Sequence, residues 1–427
     1  MKLCLINPPH RYLVHPNAQV PLGLLYVAAA AEAAGHKVEM LNLSDSDACV
    51  SGDADAYGIT ATSLDWALGG ADICKMIRAL NADAPIILGG AVSLAPGQVG
   101  RELVSTLVTG DGETAIVDLL GMIERGEQLP PAYTGESVDV KSVPYPARHL
   151  WPGALGGPIF ANGATYFPGG STVIASGRGC PFRCAFCANA AISGRRVRLR
   201  EIADVIEEME QVATDFGVRQ FRFSDETFNL GHKRVAEFCK AVRGSVTLNG
   251  GIAWKASSRA TPNDAEMYED MASAGCKELS VGIESADPVV LDVLHKDATV
   301  EEGRTALTNM RRAGIEARVL MMIGTPGERA ETMRYNLQFL LDDNCDATSL
   351  TVFVPFPGCD IRAHPEMYRC DIVNDDMATY NLYYYDSHGS REVKPYVRLW
   401  DFDYDEMTNN VTLMRAAAQA LGNLNHG

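Results

Sequence analysis

The sequence predicts an α/β protein in three parts: a doubly wound, Rossmann-like parallel sheet, a partial (β/α)6 TIM-type barrel, and a short C-terminal extension. Short apolar runs alternate with helical stretches through most of the chain, the pattern of parallel strands covered by helices. At 427 residues the chain is too long for one ordinary core. Beyond about residue 357 the alternation gives way to an aromatic, acidic tail.

Taken in order, residues 2–7 form an apolar run ending at Pro8 and Pro9. Residues 22–34 read as a helix closed by Gly35, a favoured residue after a helix C-terminus. Further strands are expected at 38–43, 56–62, 85–88 and 107–109, with helices at 66–80 and 113–124. Ligands of such sheets bind beyond the carboxyl ends of the strands. That singles out Asn7, Pro8 and Pro9; Thr60, Ala61, Thr62 and Ser63; Gly89 and Gly90; and Gly110, Asp111, Gly112 and Glu113. Glycine lets backbone approach a ligand closely, and hydroxyls bond polar ligand groups. Taken one loop at a time, the same glycines also suit plain tight turns.

Composition narrows the classes. Hydrophobic residues make up 47% and charged residues 21%, as in a soluble globular protein. The longest apolar stretch, residues 20–35, is interrupted by Gly23 and Glu32 and reads as a packed helix rather than a membrane span. No basic and apolar leader opens the chain. Eleven scattered cysteines suit a reducing cytoplasm rather than a disulfide framework. A formal charge of −17 argues against nucleic acid as the main partner. The short basic run Arg195, Arg196, Arg198 and Arg200 reads as a solvated loop.

The chemistry concentrates at Cys180, Cys184 and Cys187, spaced Cys-x3-Cys-x2-Cys with Phe186 before the last, after a strand-like run at 172–175. Structural zinc takes four ligands, and no fourth Cys or His sits nearby in the sequence. Three thiolates suit a four-iron cubane with one iron left open. Strands are then expected at 220–224, 247–257, 278–284, 316–323 and 349–355. Between them, Ile202, Val205, Ile206 and Met209 form one apolar stripe, and Met333, Leu337 and Leu340 another; these methionines read as core. Thr299 and Glu302 form a capping box. Chemistry in such barrels sits at the carboxyl ends of the strands. Those ends carry Asp225 and Glu226, Arg259, Glu284 and Ser285, and Ile323 and Gly324, with Glu328 just beyond.

The cysteine triplet matches the signature of the radical S-adenosylmethionine (SAM) superfamily. The loops Asn7-Pro8-Pro9, Pro21-Leu22-Gly23-Leu24, Leu88-Gly89-Gly90 and Gly110-Asp111-Gly112-Glu113 resemble, in order, the cobalamin-binding domain in front of many such enzymes. The resemblance implies a cobalamin domain over 1–140, a linker over 141–170, the radical SAM barrel over 171–357 and an extension over 358–427. It implies a [4Fe–4S] cluster on the three cysteines, with SAM chelating the open iron and cleaved to a 5′-deoxyadenosyl radical. Asn7, Pro8, Thr60, Thr62, Ser63, Gly89, Gly90, Gly110, Gly112 and Glu113 would line cobalamin. Phe186 precedes the last cluster cysteine. Asp225 and Glu226 would meet the methionyl amine, and Glu284 and Ser285 the ribose or carboxylate region. Ile323 and Gly324 would line the adenine. Arg259 is a candidate for the SAM carboxylate, with a surface ion pair as the alternative.

One departure is informative. The Asp-x-His-x-x-Gly motif that supplies a cobalt ligand in methionine synthase does not occur. His10 and His15 lie in the first loop but read as ordinary loop residues, which leaves cobalt without a protein ligand.

By resemblance to the class B radical SAM methyltransferases, the expected reaction is methylation of an unactivated carbon, or of phosphorus. The expected substrate is a small molecule or natural-product intermediate, rather than a peptide. A one-electron donor such as flavodoxin or ferredoxin is implied. The rival is a non-methylating radical reaction: ring contraction, cyclisation or oxidation. A cobalamin-binding sensor fits poorly, because the triplet lacks a fourth zinc ligand. Methylthiolation is disfavoured, since Cys4, Cys49 and Cys74 fall in a strand, a loop and a helix. In the tail, Tyr380, Tyr383, Tyr384, Tyr385, Trp400, Phe402 and Tyr404 are expected to pack on the barrel's open side. Cys345, Cys359 and Cys370 are expected to be buried free thiols.

Overall fold

The computed structural model describes residues 1–10, 20–44, 49–151, 159–160, 163–342, 347–380 and 394–420. The chain forms two compact units. One holds Met1–Gly157, Ala191–Ser193 and Met377–Thr379; the other holds Pro158–Ala190, Gly194–Asp376 and Tyr380–Gly427.

The first unit is built on a parallel sheet of β1 (Lys2–Asn7), β2 (Lys37–Asn42), β3 (Ala56–Thr60), β4 (Ile86–Gly89), β5 (Thr106–Gly110) and β6 (Ala132–Gly135), in the order β2-β1-β3-β4-β5-β6. The order reverses between β1 and β3, so the carboxyl ends there open a crevice suited to a ligand. Leu3, Leu5, Ile6, Tyr57 and Ile86 are almost wholly buried, as expected of strands covered on both faces. β6 lacks an apolar run and its residues alternate in exposure, so the sequence carried no signal for it. The helix expected over 66–80 is interrupted. A turn at Ser63–Asp65 leads into a π-helical turn, Trp66–Gly70, and only Ala71–Leu80 is regular α-helix. Gly69 leaves helical geometry, and a side chain at Gly70 would strike the Trp66 ring at 2.8 Å. Residues 141–151 lie in this unit, with Trp151 buried and the Ala147 amide donating to the Leu25 carbonyl.

The second unit begins with β7 (Ser171–Ile174). A two-stranded antiparallel ribbon follows, β8 (Gly177–Arg178) with β9 (Arg198–Leu199). Next come β10 (Gln220–Phe223), β11 (Ala253–Arg259), β12 (Cys276–Glu284), β13 (Glu316–Ile323) and β14 (Ala347–Val352). Strands β7 and β10 to β14 form one parallel sheet in sequential order, the six-strand partial barrel that the sequence predicts. One boundary moves. Residues 248–250 form a 3-10 turn, and the strand starts only after Gly251, whose φ of +100° excludes extended L-residue geometry. The stripe of Ile202, Val205, Ile206 and Met209 is buried, and Thr299 and Glu302 form the predicted capping box. In helix Thr332–Asp342 the buried face is Thr332, Asn336, Phe339 and Leu340, while Met333 and Leu337 lie half-buried beside it.

The extension carries an antiparallel pair, β15 (Cys370–Ile372) with β16 (Val397–Leu399), and the helix Tyr404–Ala420. Its Cys359, Ile361, Tyr368, Val397 and Met407 share one apolar cluster with Ala185, Leu294 and Phe353 of the barrel. Tyr380 and Tyr396 are fully buried, whereas Trp400 is exposed. Cys359 and Cys370 are buried free thiols, as expected; Cys345, Tyr383, Tyr384 and Tyr385 lie outside the described residues. No helix among the described residues is long and apolar enough to cross a membrane.

A buried ion pair fixes the strap behind the cysteine loop. Arg200, expected in a solvated loop, is instead buried: it pairs with Glu208, at 7% and 1% side-chain exposure, and donates to the Ala175 carbonyl at 2.9 Å. Breaking a buried pair from one side leaves an uncompensated charge, which costs about 3–5 kcal/mol. Arg200→Met should therefore lower unfolding stability by roughly that amount, measured by urea titration. The double variant Arg200→Met/Glu208→Leu, which removes both charges, should recover most of the loss.

Candidate functional site

Cys180, Cys184 and Cys187 lie on the loop after β8, each half-buried and free of disulfides. The loop is held at many points. The Cys180 amide donates to the Gly194 carbonyl at 3.2 Å, and Arg195 reaches the Phe182 carbonyl at 2.9 Å. Gly179 has φ +93°, and a Cβ there would lie 2.4 Å from the Arg196 carbonyl oxygen, so only glycine fits. Between the last two cysteines, the Ala185 amide donates to Leu294 at 2.9 Å and its carbonyl accepts from Ile361 at 3.1 Å. Burial pushes the Cys187 thiol up, and the neighbouring Cys184 and Cys180 push it further. The donors are soft sulfurs throughout. Among the described residues no three His, Cys, Asp or Glu side chains converge on a single ion. Three free thiols on one loop suit an iron–sulfur cluster.

The carboxyl end of β10 braces this loop from beneath. Asp225 accepts from the Ser176 amide at 2.9 Å and from its hydroxyl at 2.5 Å. Glu226 accepts from the Gly179 amide at 3.1 Å, and the Thr227 hydroxyl lies 3.7 Å from Cys180 Sγ. Asn229 donates to the Arg259 carbonyl and accepts from its amide, both at 3.0 Å. Burial pushes the Asp225 carboxyl up to about 6 despite the two Ser176 hydrogen bonds.

At the ends of β11 and β12 the side chains also turn toward the cysteine loop. The Arg259 guanidinium stacks 3.7 Å from the Phe182 ring centroid, donates to Cys184 Sγ at 3.3 Å and reaches the Lys296 carbonyl. Glu284, at φ +66°, pairs with Lys296 at 2.7 Å, and Lys296 in turn stands 5.9 Å from the Phe186 ring. Ser285 is buried against Asn336 at 3.2 Å. Next to it, fully buried Asp287 is bound by Arg329 and Thr332. After β13, Gly324 takes φ +75° and Glu328 folds back to accept from the Thr325 amide at 3.0 Å. Burial pushes Glu328 up to about 7. A small pocket beneath this loop is lined by Ile323, Glu328, Thr332, Asn336, Asn410 and Met414.

In the first unit, Asn7, Thr60, Thr62 and Ser63 stand at the β1/β3 reversal, and Gly89, Gly90 and Gly110 end β4 and β5. Asn7 donates to Asn42 at 3.1 Å, and Thr62 forms a capping box with Asp65. Gly90 and Gly110 serve backbone packing: a Cβ at either would lie 2.4–2.5 Å from a carbonyl oxygen, of Ala61 or Gly135. Gly89 is different, because a Cβ there would meet nothing nearer than Val108 at 4.0 Å. Its surface is open beside the crevice, a feature that suits a flat cofactor such as cobalamin. Gly112 packs on Val27, and Glu113 is buried in the first turn of its helix. Pro8 follows β1, and Pro9 faces Gly69. His10 Nε2 lies 3.9 Å from Asp65, and its amide donates to Ser44. His15 falls outside the described residues.

Phe182, Asn229, Lys296 and Asn336 belong to the barrel site, and sequence reasoning missed them. Phe182 and Asn229 were within reach, being inside or next to stretches already singled out. Lys296 and Asn336 lie on helical and loop segments with no motif to mark them.

The chain matches two family models: the radical SAM superfamily over residues 174–340 and the B12 binding domain over residues 14–120. An uncharacterised methyltransferase of Pyrococcus horikoshii is 27% identical over 84% of this chain and 82% of its own length. The anaerobic magnesium-protoporphyrin IX monomethyl ester cyclase of Rubrivivax gelatinosus is 25% identical over 67% of this chain, but only 54% of its own length is spanned. In fold, the chain is similar to the radical SAM methyltransferase TsrM of Kitasatospora setae, solved with cobalamin and a [4Fe–4S] cluster bound. The TM-score is 0.68 at 19% identity, covering 99% of both chains.

The buried Asp225 carboxyl sets a pH dependence. Burial raises its proton affinity from the ordinary Asp value near 3.8 to about 6 in the folded chain. A carboxyl of this kind stabilises the fold while protonated, and that contribution disappears as pH rises through 3.8 to 6. The loss is at most about 3 kcal/mol. Urea midpoints of the apoprotein should therefore fall between pH 4 and pH 6.5, and Asp225→Asn should flatten the decline. An equally steep decline in the variant would show that Asp225 is not its source.

Proposed function

Since the chain belongs to the radical SAM superfamily and carries a B12-binding domain ahead of the barrel, we propose that it is a cobalamin-dependent methyltransferase acting on an unactivated carbon, or on phosphorus, of a small molecule. The observation that carries the reading is that one chain holds both a switch-point sheet and, later in sequence, a barrel with a three-thiol loop. Similarity to a methyltransferase of P. horikoshii along most of both chains supports methyl transfer as the outcome. When bound, a [4Fe–4S] cluster with SAM would supply radical chemistry, and cobalamin would carry the methyl group.

On this reading Cys180, Cys184 and Cys187 would hold the cluster, whose remaining open iron would take SAM. Asp225 and Glu226 fix the loop's entry through Ser176 and Gly179, so that the thiolates stay preorganised. Glu284, Ser285, Ile323 and Gly324 stand at the strand ends where the nucleoside of SAM is taken to lie. Asn7, Thr60, Thr62, Ser63, Gly89 and Gly90 stand where cobalamin is taken to lie. The free cysteines and the cluster suit a reducing cytoplasm, with a flavodoxin or ferredoxin as electron donor. The Rubrivivax relative, named a cyclase, favours a second reading in which the radical drives a cyclisation or oxidation without methyl transfer.

Single replacements Cys180→Ala, Cys184→Ala and Cys187→Ala should each abolish the brown colour and the reductive cleavage of SAM. Cys359→Ala and Cys370→Ala should keep both. Anaerobic reconstitution with iron and 5′-deoxyadenosine assays check this; a full cubane in any triplet variant removes that residue from the ligand set.

Methylation requires two SAM molecules per turnover, because one molecule cannot be both polar methyl donor and radical source. With methyl-deuterated SAM the product should gain three deuteriums, and S-adenosylhomocysteine and 5′-deoxyadenosine should form in equal amounts. A product of unchanged carbon count, with 5′-deoxyadenosine and little S-adenosylhomocysteine, would transfer the assignment to the cyclisation or oxidation reading.

A further inference from the structure

Arg259 is a buried cation without a carboxylate. Its residue is only 5% exposed, and no Asp or Glu pairs with it among the described residues. Its partners are the Phe182 ring at 3.7 Å, the neutral Lys296 carbonyl, and Cys184 Sγ at 3.3 Å from Nη1. Nε is buried with no acceptor at all. A guanidinium stays charged at any physiological pH, and enclosing it without an anion is costly. Of the groups it touches, only the Cys184 sulfur becomes an anion, and it does so once it binds iron.

We infer that Arg259 is the counter-cation of the Cys184 thiolate and raises the reduction potential of the cluster. This rests on the reading of Cys184 as an iron ligand. A [4Fe–4S]2+ core with three thiolates carries a net charge of −1, and one electron from an external low-potential donor takes it to −2. A positive donor hydrogen-bonded to a ligand sulfur stabilises the more negative state, so it favours reduction. The surroundings hold the guanidinium to this task. Asn229 clamps the Arg259 backbone from both sides, and Phe182, from the cysteine loop itself, covers its face. Arg259 is thus a positioning and tuning residue that acts through Cys184.

The test is an electron paramagnetic resonance redox titration of reconstituted wild type, Arg259→Gln and Arg259→Lys without SAM, on samples shown to hold four irons. In Arg259→Gln the reduced-to-oxidised ratio at a fixed potential should fall at least tenfold, a midpoint about 59 mV lower for a one-electron couple. Arg259→Lys keeps the charge and should recover part of the shift. A second measurement does not depend on the variants folding. Wild type labelled with 15N-arginine should show a nitrogen coupling to the reduced cluster by pulsed paramagnetic resonance. Absence of that coupling overturns the inference, as does an unchanged midpoint in Arg259→Gln. A weaker SAM affinity at an unchanged midpoint also overturns it and makes Arg259 a carboxylate ligand. An intact cluster in Cys184→Ala would instead defeat the ligand reading on which the inference stands.

Discussion

The hydrogen bonds of the Asp225 carboxylate to Ser176 tie the end of β10 to the point where the chain leaves β7 for the cysteine loop. That joint is the first of a series along one stretch. Ser224 donates to Ile174, Glu226 accepts from Gly179, Thr227 faces Cys180, Phe228 donates to Ser257, and Asn229 clamps Arg259. Successive residues thus fasten successive parts of the site, and they are rigid because their own base is rigid. Phe228 packs with Phe223, Phe238 and Trp254 at ring separations of 4.8–5.5 Å. Burying Asp225 raises its proton affinity, a cost the fold carries so that the loop has one conformation.

The far side of the loop is held by apolar packing. Ala185 is fully buried in a cluster that includes Leu294 of the barrel and Ile361, Tyr368 and Met407 of the extension. The small Ala185 side chain lets the backbone between Cys184 and Cys187 come close enough to bond Leu294 and Ile361. The extension thus packs, together with Leu294, against the stretch between Cys184 and Cys187. Between the polar bonds on one side and the packing on the other, the three cysteines stay half-buried and free of disulfides.

The first unit solves a different problem with the same economy. A large ligand lying across strand ends needs a broad crevice, and the β2-β1-β3-β4-β5-β6 order opens one where the winding reverses. Gly90 and Gly110 bring adjacent loops within van der Waals contact, which keeps those loops low. The π-helical turn at Trp66–Gly70 follows the Thr62–Asp65 capping box and delays the start of the regular helix. Irregular helical turns of this kind recur at functional sites.

Taken alone, the sequence determined the fold class, the strand-and-helix alternation of both units and the cysteine triplet, because each is a local pattern of spacing and periodicity. It also determined the capping box at Thr299 and Glu302, four residues that need no distant partner. It did not reveal β6, whose short polar edge looks like loop, nor the start of β11, where two glycines delay the strand. Only the tertiary structure decided what the polar strand-end residues touch. Asp225 turns to Ser176, 49 residues away, and Arg259 to Cys184, 75 residues away. Such partnerships are set by the order of strands in the sheet, so no window of sequence contains both halves of them.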